Sequence, residues 1–224
     1  MARILLIETS TSVLSVALAQ DGTVVSERVC TEPRMQASLT APLVKEVLDE
    51  AGLSAKDCDA VCVSSGPGSY TGLRVGVSTA KGLAFGANIP LLSMCTLDIL
   101  VDSIEDRPSF IVPMIDARRM EVYTAVYSAD GKRLTEVEAK VIGPDSFAEY
   151  LEQGEVLFVG DGALKCKDVI VHPNARFQET FPLARHMAKG AQKAYDEGKF
   201  ENLAYFEPFY LKDFIATVSK KNLW

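Results

Sequence analysis

Only two histidines, His172 and His186, occur in the 224 residues, and neither has another histidine three or four positions away. A helical zinc pair needs two imidazoles one turn apart on a single face, so no histidine-based metal site is expected. Both read as surface or helix-end residues. The Gly-x-Ser-x-Gly elbow of serine hydrolases is missing, because Ser69 within Gly68-Ser69-Tyr70-Thr71-Gly72 has the wrong spacing. No Gly-Lys-Ser or Gly-Lys-Thr is present, which excludes a P-loop. Gly66, Gly68 and Gly72 also miss the spacing of the dinucleotide fingerprint. Basic clusters are scarce: Lys220-Lys221 stands alone, and the net charge is -7. That argues against a dedicated nucleic-acid binder, so a part in nucleic-acid chemistry would run through a partner. The five cysteines form no Cys-x-x-Cys pair, which fits reduced thiols. The apolar run Ile4–Ile7 is too short for a signal peptide or a membrane span, so a cytoplasmic location is expected.

What the sequence does have is one organising stretch, residues 61–84. The β-branched run up to Ser65 reads as a buried strand, broken by Gly66-Pro67-Gly68. Ser69 or Thr71 then offers a hydroxyl to cap a following helix, whose N-terminal amides suit an anion. That helix carries Gly72, Gly76, Gly82 and Gly86, each costing about 1 kcal/mol relative to alanine when interior. Such a stripe needs close backbone approach to something. Tight packing on its own sheet and contact with a second helix or subunit both satisfy it.

Before this stretch, Ile4–Ile7, Val13–Ala19 and Thr23–Cys30 form an antiparallel meander turning at Asp21-Gly22. The first turn, Thr9-Ser10-Thr11-Ser12, is rich in hydroxyls that either hold a phosphate or simply make a turn. Residues 35–51 pattern as a helix that Pro42 should kink or begin. The first half thus reads β-β-β-α-β-α-β-α, and a boundary falls near Glu105–Pro108, giving lobes 1–104 and 105–224. The second half repeats the outline, with strands at Phe110–Ile115, Glu121–Tyr127 and Val156–Val159 and helices at 145–153 and 182–195. This is compatible with an approximate duplication, although no repeat appears at the residue level. Glu8 and Asp116 end the strands that open each half. They suit magnesium binding or water polarisation, and equally a turn cap or an arginine pair with Arg118 or Arg119.

Ile4–Thr11, Ser65–Arg74, Ala80–Ala84, Ile115–Arg118 with Glu121–Tyr123, and Pro208–Leu211 together resemble the TsaB (YeaZ) family over about residues 3–213. The resemblance implies a two-lobed α/β fold of the actin, Hsp70 and sugar-kinase (ASKHA) type, with mixed sheets flanked by helices. It implies a non-catalytic subunit in making threonylcarbamoyladenosine in tRNAs that read codons beginning with adenosine. Its partners would be the paralogue TsaD, which transfers the threonylcarbamoyl group, the ATPase TsaE, and a second copy of itself. No cofactor of its own is implied; ATP or ADP and a metal ion belong to the partner, and tRNA is met only through the complex. The paired helices after residues 38 and 71 would dimerise, with Leu39, Leu43, Leu73, Gly76, Val77 and Ala80 as candidate interface. Thr9, Ser10, Thr11, Gly66, Gly68 and Gly72 would be vestigial phosphate loops. Gln36 stands where many members have histidine. The alternative is an independent ATP-binding or phosphoryl-transfer enzyme of the same fold, and the weaker third reading is a peptidase.

Overall fold

A computed structural model describes residues 1–212. The first sheet contains β1 (Arg3–Glu8), β2 (Leu14–Gln20), β3 (Thr23–Cys30), β4 (Ala60–Gly66) and β5 (Leu91–Cys95), in the order β3-β2-β1-β4-β5. β1 pairs antiparallel with β2 and parallel with β4, and β4 pairs parallel with β5. Its central strand is apolar without alternation because both of its faces are covered. Leu5 and Ile7 join Val61 and Val63 on one side, beneath α1 (Gln36–Glu50) and α2 (Tyr70–Ala87). Ile4 and Leu6 join Cys62 and Leu92 on the other, against Met187, Ala188 and Ala191 of α5 (Ala184–Asp196).

The second sheet contains β6 (Phe110–Asp116), β7 (Glu121–Thr124), β9 (Glu138–Val141), β10 (Val156–Val159) and β11 (Ala175–Gln178). Read from its β9 edge, the order is β9-β7-β6-β10-β11. β6 is antiparallel to β7 and parallel to β10, β7 is antiparallel to β9, and β10 is parallel to β11. Strand for strand this is the topology of the first sheet. The duplication reaches the turns: β4 runs into Gly66-Pro67-Gly68 and β10 into Gly160-Asp161-Gly162, with Gly66 and Gly160 both at positive φ.

The helices that end each half are exchanged. α3 (Thr96–Asp102) follows β5 and keeps Ile99 in the first sheet's core, yet its Leu97, Leu100 and Val101 pack on Ile111, Ile115 and Leu157 of the second sheet. α5 follows β11 and covers the first sheet. Tyr127, in the short strand β8 (Tyr127–Ser128), donates to Asp98 of α3 at 2.6 Å, and Arg133 clasps both oxygens of Asp98 at 2.8 and 2.9 Å.

Several elements differ from the sequence expectation. Pro42 lies inside a single helix and faces solvent, so it neither starts nor divides α1. The strand expected up to Ser65 starts at Ala60 and follows a one-turn 3-10 helix, Ala55–Asp57. The strand expected over Glu121–Tyr127 is interrupted, leaving β7 and β8 paired with opposite ends of β6. The helix expected at 145–153 is a single turn, α4 (Ala148–Leu151). No helix among the described residues is long and apolar enough to cross a membrane.

Candidate functional site

The loops at the carboxyl ends of β1 and β4 meet face to face. Thr9 and Ser10 are fully buried and Thr11 nearly so. Thr9 Oγ1 donates to the Gly72 carbonyl at 2.8 Å, and the Ser69 N–H donates to the Ser10 carbonyl at 2.7 Å. A Cβ at Gly68 would strike Ser10, and one at Gly72 or Gly76 would strike Thr9. The glycines of α2's first two turns therefore exist so that the β1–β2 loop can lie against the helix backbone. Ser69 is the N-cap, its Oγ accepting from the Gly72 N–H at 3.3 Å. Gln36 reaches the same loop from α1, donating to the carbonyls of Thr11 at 2.9 Å and Ser12 at 3.3 Å.

This placement shows where the residues expected at an interface lie in the single chain. Leu73, Gly76, Val77, Ala80 and Leu43 are buried in this chain's own core, and Leu39 packs partly against it. They fall at helical spacing because they face the first sheet. A bulky residue at Gly76 would disrupt the monomer before any partner is tested. What α1 and α2 present outward is different: Ala41, Pro42 and Lys45 on one, Ser78, Gly82 and Phe85 on the other. Phe85 is 81% exposed, and a Cβ at Gly82 or Gly86 would meet nothing within 4 Å. Sequence reasoning missed this face. Its one signal was a phenylalanine one position outside the apolar stripe.

Beneath the loops, Glu8 is fully buried. One carboxylate oxygen accepts the Ser10 N–H and the other has no partner. Burial pushes its pKa up to about 7, against the smaller opposing pull of the Ser10 and Ser64 hydroxyls. Cys62 lies close by, its thiol held protonated by burial. Asp116, at the matching place in the second lobe, is exposed. It accepts the Arg118 N–H at 2.8 Å and pairs with Lys165, so it caps a turn. Lys165 also donates to the carbonyls of Arg119 at 2.8 Å and Glu121 at 2.7 Å, and Arg118 and Arg119 are both at positive φ. Asp161 accepts the Asp116 N–H at 2.9 Å, and burial raises its pKa to about 6. The two histidines are apart in function as in sequence. His172 Nδ1 accepts the Asn174 N–H at 3.1 Å, while His186 is half-buried on α5 with its pKa lowered by burial to about 4.

Two lobes of one topology, exchanged terminal helices and opposed strand-end loops define a protein of the actin, Hsp70 and sugar-kinase class. A family model described as "TsaD: tRNA N6-adenosine threonylcarbamoyltransferase" matches residues 33–220. The chain is 34% identical to the tRNA threonylcarbamoyladenosine biosynthesis protein TsaB of Escherichia coli, covering 96% of each. It is 33% identical to TsaB of Bacillus subtilis, over 75% of this chain and 74% of that one. Among solved structures, YeaZ from Pseudomonas aeruginosa superimposes with a TM-score of 0.81 at 29% identity, covering 94% of this chain and all of that one. The chain belongs to the TsaB (YeaZ) family.

Proposed function

We propose that this chain is a non-catalytic subunit in tRNA threonylcarbamoyladenosine biosynthesis, activating a TsaD transferase by dimerising with it. Its relatives carry the pathway in their names, and the matching family model carries the transferase. The observation that carries the non-catalytic part is the self-filled cleft. The two loops close on each other's backbone, the Thr9 hydroxyl donating to the Gly72 carbonyl and the Ser69 N–H to the Ser10 carbonyl, with the Ser10 and Thr11 hydroxyls buried without a partner. A phosphate at that place would have to displace the chain's own backbone. Cys58 and Cys62 offer no nucleophile, since burial pushes Cys58 up to about 11 and Cys62 higher still.

The docking part rests on the outward side of α1 and α2, where Phe85 stands clear of the surface between open glycines. An exposed aromatic flanked by small residues suits the apolar anchor of an interface. TsaD, or a second copy of this chain, is the proposed occupant, with TsaE joining the pair. Calorimetric titration of the isolated chain with ATP and magnesium should give no saturable heat. Clear binding would transfer the assignment to an independent nucleotide enzyme. Phe85→Glu should weaken capture of TsaD by on the order of thirtyfold, the scale of an aromatic hot spot, with circular dichroism unchanged. Unaltered capture would move the contact elsewhere.

A further inference from the structure

The C-terminal end of the described chain passes from the first lobe to the second, and its two ends are held unequally. On the first lobe the Glu201 N–H donates to the Leu91 carbonyl, and Lys81 of α2 donates to the carbonyls of Ala204 and Phe206. Farther along, the Phe209 N–H donates to the Ser65 carbonyl at 2.7 Å. The Phe209 carbonyl lies so close to Gly66 that a Cβ there would come within 2.7 Å of it. Tyr210 then packs tilted against Tyr70 at 4.9 Å between centroids, and Arg74 donates to the Tyr210 hydroxyl at 3.4 Å while lying over the Tyr70 ring. On the second lobe, among the described residues, Lys212 alone makes the contact, pairing with Glu121 at the start of β7 and lying over the Tyr123 ring at 5.9 Å from its centroid. Three residues of extended chain reach at most about 11 Å, so this short segment ties the end of β4 at Ser65 to the start of β7 at Glu121.

We propose that residues 207–212 form a latch between the lobes that covers the glycine turn and opens at the Lys212–Glu121 end. Closed, it occupies the Ser65 carbonyl and shields Gly66 and the first turn of α2. Open, it frees those groups while Lys81 and Glu201 keep the strap's root on the first lobe. The release point is a partly exposed ion pair whose lysine also lies over the Tyr123 ring, and the pair responds to salt and to competing charge.

Amide hydrogen exchange on the whole chain tests this directly, because the Phe209 amide reports closure. Lys212→Ala should speed Phe209 exchange about two- to fivefold, the effect of losing one exposed pair, without changing exchange inside β4. The exchanged pair, Lys212→Glu with Glu121→Lys, should restore protection that Lys212→Glu alone removes. Wild-type exchange at Phe209 in Lys212→Ala would overturn the latch, leaving a strap that belongs to the first lobe only. Failure of the exchanged pair to restore protection would do the same.

Discussion

At the scale of one residue, Glu8 shows how burial changes what a carboxylate means. The sequence marks it as a candidate acid at a strand end, and the structure closes it off from water with one oxygen unpartnered. A folded pKa of about 7 against 4.5 in the unfolded chain sets the sign of its effect on stability. The protonated form is favoured by folding, so its contribution is complete below about pH 4.5 and is lost as pH rises through about 7. Glu8→Gln keeps an acceptor for the Ser10 N–H and cannot ionise. Between about pH 4 and about pH 8.5, the unfolding free energy of this variant should gain on the native chain by on the order of 3 kcal/mol. Urea melts at the two pH values measure it, and a difference that does not change with pH would show that Glu8 is not desolvated. Asp161, raised to about 6, pulls the native chain in the same direction and is common to both proteins, so it cancels.

At the scale of the element, α2 separates two kinds of glycine that look alike in sequence. Gly76 touches Thr9 and Gly82 touches nothing. Gly76→Ala should therefore destabilise the chain by several kcal/mol, through backbone displacement and loss of the Thr9–Gly72 bond. Gly82→Ala should stabilise it by roughly 0.5–1 kcal/mol through helix propensity alone. Thermal melts of both variants decide the matter, and equal effects would mean the stripe is not packed as described. The helix, its cap at Ser69, the glycine turn and the first meander were all legible, because each rests on local chemistry or on an apolar run of the right period. The identity of the stripe's neighbour was not. Glycine permits close approach without saying to what, and Thr9 lies far away in sequence. β9 and β11 were also missed, being four-residue edge strands with charged side chains and no buried residue, so they carry no apolar signal.

At the scale of the whole molecule, the exchange of α3 and α5 governs how the lobes behave. A cut near residue 105 would separate the two sheets by sequence but would leave each without the helix that covers it. The first sheet would lose Met187, Ala188 and Ala191 from above Leu6 and Cys62. The second would lose Leu97, Leu100 and Val101 from above Ile111 and Leu157. Burying such side chains contributes roughly 1.5–3 kcal/mol apiece for the larger ones, a large fraction of the marginal stability of an ordinary domain. The lobes should thus unfold together although each has its own sheet. Urea transitions followed by far-UV circular dichroism and by tyrosine fluorescence should coincide at one midpoint. A fragment of residues 1–104 should lack a cooperative transition. Two separated midpoints, or a cooperatively folded fragment, would mean that the exchanged helices ornament independent lobes rather than bind them into one folding unit.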